Sequence, residues 1–283
     1  MNKLTDTYKL QNGLEIPCIG FGTYKLTDPD IAYRSVLDAL NAGYTHIDAA
    51  AIYGNEESVG KAINDSGIAR SEIFLTTKLW NDSHTYDKAL KAIDASLKRL
   101  QTDYIDLYLV HWPNPKQYRD DYIGSITETW KAMEKIYKDG KAKAIGISNF
   151  RPHHIEQLLE VSEIAPMVNQ LRLYPGYDMS ETVKNSKSHG MLVQAHSPLG
   201  SGKIFESSEL ALMAEKYNKT IAQICIRYSL QKGYLPLPKS ANTSRIQENI
   251  QVFDFVISDE DMEFIENIPN YCSEGSDPDN CDF

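Results

Sequence analysis

Four residues of unlike acid–base character invite a common reading: Asp48, Tyr53, Lys78 and His111. A phenol has a pKa of about 10, too high for easy proton work at neutral pH. A neighbouring ammonium stabilises phenolate and lowers that value. A carboxylate paired with the lysine holds it charged and in place. A histidine beside the phenol binds and orients a carbonyl oxygen. Together they make a general-acid set for protonating an alkoxide as it forms. The sequence shows no metal-ligand spacing and no nucleophile with an adjacent base. His153-His154 is an isolated pair at a helix start, better read as capping or exposure than as a metal site. Such a set suits carbonyl reduction, provided hydride is supplied. Side chains do not supply hydride, whereas a nicotinamide does.

These residues need elements that bring them together. Strand-type runs alternate with helical patterns along the chain: Ile19 to Thr23, His46 to Asp48, Ile73 to Thr77, Tyr104 to Val110, Ala144 to Ser148, Met167 to Gln170, Met191 to Ala195 and Leu235 to Lys239. Between them run apolar stripes of helical period, such as Tyr33, Val36, Leu37 and Leu40, or Leu90, Ile93, Leu97 and Leu100. Further helices are expected at Glu56 to Ile63, Ile126 to Tyr137, Ile155 to Leu159, Glu181 to His189, Leu210 to Tyr217, Ile221 to Leu230 and Arg245 to Gln251. Strands alternating with helices make a parallel sheet, and this number of units suits a closed (β/α)8 TIM barrel of about 250 residues. Gln11-Asn12-Gly13, within residues 7–17, is a hairpin signal, and such a hairpin closes the bottom of the barrel. An open doubly wound sheet is the competing layout, but Gly20-Phe21-Gly22 lacks the third glycine of a dinucleotide fingerprint. Gly200-Ser201-Gly202-Lys203 is not a P-loop. In a barrel, chemistry sits at the C-terminal strand ends. Asp48, Lys78, His111, Ser148-Asn149, Gln170 and Lys239-Ser240 all terminate strands, and Tyr53 lies just after one. An exposed lysine or a capping aspartate is the blander reading of each. Their shared place in the repeat argues against it.

Composition narrows the classes. In 283 residues, 42% are apolar, enough for a real core, and 24% are charged. The net charge of −10 argues against nucleic acid as a bulk partner, yet leaves room for one small basic pocket for a phosphorylated ligand. No apolar run reaches the length of a membrane span. Met1 to Asp6 lacks a secretion-signal layout. Cys18, Cys225, Cys272 and Cys281 form no CxxC pair, so free thiols in a reducing cytoplasm are expected, with a Cys272–Cys281 bridge only under oxidation. The expectation is a soluble, cytoplasmic, monomeric chain with one domain over 1–283, and a tail over 270–283 that is either a lid or a loose terminus.

Six motifs in order resemble the aldo-keto reductase family along nearly the whole chain. They are Gly43-Tyr44-Thr45-His46-Ile47-Asp48-Ala49-Ala50 with Tyr53-Gly54-Asn55-Glu56 and Val59-Gly60; Thr77-Lys78-Leu79-Trp80; Asp103-Tyr104-Ile105-Asp106-Leu107 through His111-Trp112-Pro113; Gly146-Ile147-Ser148-Asn149-Phe150; Asn169-Gln170; and Pro238-Lys239-Ser240 with Arg245-Ile246-Gln247-Glu248-Asn249. The resemblance implies NADPH-dependent reduction of small aldehydes and ketones, with hydride passing from nicotinamide C4. Tyr53 would be the general acid, Lys78 held by Asp48 would lower its pKa, and His111 would orient the carbonyl. Ser148, Asn149 and Gln170 would bind the carboxamide. Gly22, Thr23, Ser197, Leu199 and Ser201 would line the cofactor's path, the loop offering amides and a hydroxyl to the pyrophosphate. Lys239, Ser240 and Arg245 would hold the 2′-phosphate, which favours NADP(H) over NAD(H), with Glu248 and Asn249 on the adenine. The blander reading of Arg245 is an ion pair with Glu248. Tyr24, Trp80 and Trp112 would form an aromatic substrate mouth; core packing is the blander reading of both tryptophans. The short tail is similar to the bacterial and protozoal branch of 2,5-diketo-gluconate reductases and prostaglandin F synthases.

The chain also departs from the family. Thr45 stands where Arg is common, and Arg172-Leu173-Tyr174-Pro175 replaces Glu-Leu-His-Pro. His196 stands where Trp or Tyr usually stacks on the nicotinamide. Its imidazole is expected to stack too, with weaker cofactor binding at low pH as it becomes charged. The same resemblance covers NADP(H)-binding regulatory subunits, the alternative function. A Schiff-base lyase through Lys78 ranks last, since Asp48 would keep that lysine charged.

Overall fold

A computed structural model describes residues 1–273 and 275–283. Two short strands come first, β1 (Thr7–Lys9) and β2 (Glu15–Pro17). The repeat follows as β3 (Phe21–Gly22), α1 (Pro29–Ala42), β4 (His46–Asp48), α2 (Glu56–Asp65), β5 (Phe74–Leu79), α3 (Tyr86–Leu100), β6 (Leu107–Val110) and α4 (Tyr122–Lys138). It continues as β7 (Ile145–Ser148), α5 (Pro152–Leu159), β8 (Val168–Arg172), α6 (Ser180–Ser188), β9 (Leu192–His196), α7 (Ser208–Tyr217), α8 (Ile221–Gln231), β10 (Leu235–Leu237), α9 (Thr243–Glu248) and α10 (Asp259–Glu266). Strands β3 to β10 pair in sequence order, all parallel. The ends meet where Gly20 and Gly22 donate N–H to Pro236 and Pro238 O, at 3.1 and 3.0 Å. The sheet is therefore a closed (β/α)8 barrel, as the repeat implied. Among the described residues no helix is long and apolar enough to cross a membrane.

Period-two alternation sorts the strand residues. Ile47, Leu75, Tyr108, Val110, Ile145 and Ile147 pack outward with helix residues such as Val36, Val59 and Ile93 in one large core. Leu107, Leu109, Val168, Leu235 and Leu237 instead form a second cluster with Leu10 and Ile16 of the β1–β2 hairpin. That contact puts the hairpin across the barrel's bottom, its turn closed by Leu10 N–H to Leu14 O at 2.9 Å with Gly13 at φ 86°. Gly43 ends α1 at φ 104°, a backbone state that other residues adopt only with strain.

Element edges differ from the sequence reading where side chains compete with the ladder. The strand expected from Tyr104 starts at Leu107, because the Asp106 carboxylate accepts from Leu75 N–H and pairs with Arg70 and Lys143. The first strand shortens to Phe21–Gly22. The helix expected over Arg245 to Gln251 runs Thr243–Glu248, started by the Asn242 side chain. The Asp259–Glu266 helix, capped by Ser258, was not expected.

Two fully buried histidines predict the acid behaviour of the fold. Burial pushes His46 and His84 down to about 3. Folded values below the ordinary one give stability that is present above about pH 6.5 and lost as the pH falls toward 3. Each histidine should cost about 2 kcal/mol at about pH 5. Tm should therefore drop on acidification from about pH 7 to about pH 5, and His84→Gln should lessen the drop. An unchanged Tm across that interval would contradict the burial argument.

Candidate active site

The C-terminal end of the barrel gathers the four candidate acid–base residues. Lys78, wholly buried, sets its Nζ 2.6 Å from Asp48 Oδ1 and donates to Ala49 O at 2.9 Å. Tyr53 ends a single turn, Ala51–Tyr53, that follows β4. Lys78 Nζ sits 5.2 Å from the centre of its ring. His111 meets the Tyr53 ring edge-on at 5.8 Å and the Trp80 ring at 5.2 Å. Its Nδ1 is buried without a partner among the described residues, which leaves Nε2 to meet the cavity.

Burial dominates the electrostatics. It pushes the Tyr53 phenol well above its ordinary value, helped by Asp48 and Tyr24. The expected net lowering of this pKa is not met: the Lys78 ammonium is itself paired with Asp48, and desolvation of the phenol outweighs the charge that favours phenolate. The phenol thus stays protonated, the form a proton donor needs. Burial also draws Lys78 down, opposed by Asp48. His111 is held well below its usual range by burial, then by Lys78, His196 and His84, so it meets a ligand as neutral imidazole.

Beside this group lies a second set. Ser148 Oγ donates to Gln170 O at 2.9 Å. Asn149, at φ 63°, donates its Nδ2 to His111 O at 3.0 Å. His196 Nε2 lies 3.3 Å from Asn149 Oδ1, and Nδ1 lies 3.2 Å from Ser197 Oγ. Burial, then Arg172 and Lys78, lower His196 to about 3. The expected loss of cofactor affinity from a charged His196 is therefore corrected. His196 should add no pH dependence to NADPH affinity from about pH 5.5 to about 8, because this imidazole is neutral throughout. Titrations of the dissociation constant for the protein and for His196→Phe check it: the two profiles should run parallel, and a weakening toward about pH 5.5 that the variant lacks would mean that the imidazole becomes charged.

Two adjoining cavities open here. One of about 610 Å³ is lined by Tyr53, His111, Ser148, Asn149, Gln170 and His196, with Tyr24, Trp80 and Trp112 on its aromatic side. The other, about 250 Å³, is lined by Gly22, Ser197, Leu199, Ser201 and Lys239. Lys25 lines both, a cation that the sequence reading passed over although it follows Tyr24 directly. Thr23 lines neither; it is buried, its Oγ1 donating to Asp48 O at 3.0 Å. Ser240, Arg245, Glu248 and Asn249 also lie outside both. Arg245 is exposed and makes no ion pair with Glu248, whose Oε1 accepts from Thr220 Oγ1 at 2.8 Å. Asn249 is buried. The connected hollows carry amide and hydroxyl groups at one end and cations along the other. That donor set fits a dinucleotide with its nicotinamide by Gln170 and its phosphates by Lys25 and Lys239.

The tail crosses the mouth of the larger cavity. Phe283 stacks on Trp80 at 5.7 Å and meets Trp112 edge-on at 5.1 Å, while Gly275 to Pro278 line the rim. Arg151 pairs with Asp277 and Asp279 at 2.9 and 3.1 Å, and Arg119 donates to Cys281 O at 2.6 Å. Of the two tail readings, the lid is the one seen. Cys272 and Cys281 are free thiols. His153 and His154 both approach Asp279, and one ligand atom from each of the three lies within 4.8 Å of the others. His154 Nδ1 accepts from Arg151 N–H at 3.1 Å, which makes Nε2 the protonated nitrogen. Nε2 then carries a proton and lies 2.9 Å from Asp279 Oδ1, which leaves it no lone pair to offer a metal.

Comparison with known proteins agrees with this geometry. The model of the aldo/keto reductase family matches residues 18–270. Glyoxal reductase of Bacillus subtilis is 46% identical over 276 residues, covering 98% of this chain and 97% of that protein. The 9,11-endoperoxide prostaglandin H2 reductase of Trypanosoma cruzi is 41% identical over 283 residues, covering 99% and 97%. The crystal structure of a Bombyx mori aldo-keto reductase in complex with NADP superposes with a TM-score of 0.84 at 35% identity, covering 95% of this chain and 99% of that one.

Proposed function

Because the chain belongs to the aldo/keto reductase family and is an NADP(H)-dependent oxidoreductase, we propose that it reduces small aldehydes and ketones to alcohols, with Tyr53 as the proton donor. The observation that carries this reading is the protonated, half-buried Tyr53 between the Lys78–Asp48 pair and a neutral His111, at the wall of an aromatic cavity. The cofactor, when bound, supplies hydride from nicotinamide C4. His111 Nε2 holds the substrate carbonyl oxygen within reach of Tyr53. As negative charge grows on that oxygen, the phenol hydrogen moves to it. Lys78 stabilises the phenolate left behind, and Asp48 keeps the ammonium in place. Trp80, Trp112 and Phe283 exclude water and accept an apolar substituent without fine discrimination.

Ser148, Asn149 and Gln170 bind the carboxamide, and His196 stacks on the ring. Lys239, Ser240 and Arg245 take the 2′-phosphate. Arg245 has the freedom for this, being exposed and without a carboxylate partner among the described residues. Arg245→Ala should weaken NADPH binding by about tenfold to a hundredfold, the worth of charge-assisted hydrogen bonds, and leave NADH binding unchanged. Equal losses for both nucleotides would assign Arg245 no part in reading the phosphate.

The direct test follows NADPH consumption with a panel of small aldehydes and dicarbonyls. Glyoxal comes first, given the similarity to glyoxal reductase. Turnover supports the reading. Tight NADPH binding without turnover on any carbonyl would favour a cofactor-binding regulatory subunit instead.

A further inference from the structure

Gln194 lies on β9 directly across from Gln170 on β8, and both side chains are buried inside the barrel. The orientation of the Gln170 amide follows from its partners. A carboxylate only accepts, so Gln170 must turn Nε2 toward Asp48 Oδ2, 2.8 Å away. The second hydrogen of that nitrogen goes to Gln194 Oε1 at 2.9 Å. Both donors are spent, and Gln170 Oε1 is the one polar atom left to face a ligand.

Among the described residues Gln194 makes no other side-chain hydrogen bond. Its own Nε2 is buried with no partner among the described residues. A buried, half-satisfied amide is a poor packing choice, since a leucine of similar size would leave no orphan donor there. What the glutamine does uniquely is accept from Gln170.

We infer that Gln194 is a positioning residue, which locks the Gln170 amide so that its Oε1 accepts from the carboxamide N–H2 of the nicotinamide. This rests on the proposed function. The chain Gln194–Gln170–Asp48–Lys78 thereby joins the groove for the cofactor to the pair beneath the proton donor. Without Gln194, the Gln170 amide keeps one anchor, at Asp48, and rotates about it.

Gln194→Leu and Gln194→Glu separate positioning from packing. NADPH binding is read from quenching of tryptophan fluorescence, beside steady-state kinetics and Tm. Gln194→Leu should weaken NADPH binding about tenfold, the loss of one well-aligned bond, raising KM for NADPH more than it lowers kcat. Its Tm should change little, because the orphan amide of Gln194 is removed while one Gln170 N–H loses its acceptor. Gln194→Glu keeps an accepting oxygen and should return NADPH affinity to within about threefold of the unsubstituted protein. NADPH binding by Gln194→Leu within about twofold of the original, or a loss that tracks a fall in Tm, would overturn the inference. No NADPH binding by the unsubstituted protein would overturn the functional reading itself, and this inference with it.

Discussion

Tyr53→Phe is expected to lower kcat/KM for aldehyde reduction by about 10²- to 10⁴-fold, the usual worth of a positioned proton donor. The hydroxyl makes no hydrogen bond to any described residue, so its removal leaves no orphaned partner. The ring keeps its neighbours, Tyr24 at 5.1 Å and His111 at 5.8 Å, which a phenylalanine meets equally well. Stability and NADPH affinity should therefore stay as they were while turnover collapses. Stopped-flow reduction under saturating NADPH, with Tm beside it, checks both halves. A variant that retains a tenth or more of the activity would transfer the donor role to another group. His111 is the neighbour to examine next, although its lowered pKa makes it a weak proton source at neutral pH.

The route from residues to site was legible where the repeat itself dictates placement. A strand ending at Asp48 and another running through Lys78 must bring those side chains to one end of a parallel barrel, and they meet at 2.6 Å. The glutamine–glutamine bond was not legible, because it depends on the register of β8 against β9. Gln194 lies two residues before His196, and a lone polar residue in an apolar run carries no signal of its partner across the sheet. Phe283 was out of reach for a different reason. No periodicity tells where a tail of Asp, Ser and Pro residues lands, and only the Arg151–Asp279 and Arg119–Cys281 contacts explain its path. His196 shows the limit of reading chemistry from residue type. Imidazole titrates near neutrality in water, but this half-buried ring loses much of its hydration at the cavity wall, beside Arg172 and Lys78, and falls to about 3. The phenol–lysine argument met the same limit, since desolvation outweighed the charge expected to lower Tyr53.

The Asp48–Lys78 pair should separate stability from catalysis most sharply. Both side chains are buried, at 4% and 0% exposure, so each solvates the other in place of water. Asp48→Ala strips Lys78 of its carboxylate and leaves Gln170 Nε2 without one of its two acceptors. Removing one member of such a pair costs about 3–5 kcal/mol. Lys78 limits the damage by losing its proton, a response that burial already favours. At about 2 °C per kcal/mol, Tm should fall by at least roughly 6 °C. Replacing both partners, as in Asp48→Leu with Lys78→Met, leaves no uncompensated charge, so most of that loss should be recovered. Activity should not return with it. The double variant has no ammonium to stabilise phenolate at Tyr53, and its turnover should remain about 10²-fold or more below that of the unsubstituted protein. Thermal melts and single-turnover reduction on all three proteins test the cycle. Recovery of turnover along with Tm would mean that the pair acts only as scaffold. A double variant as unstable as Asp48→Ala would mean that the cost lies in packing rather than in the stranded charge.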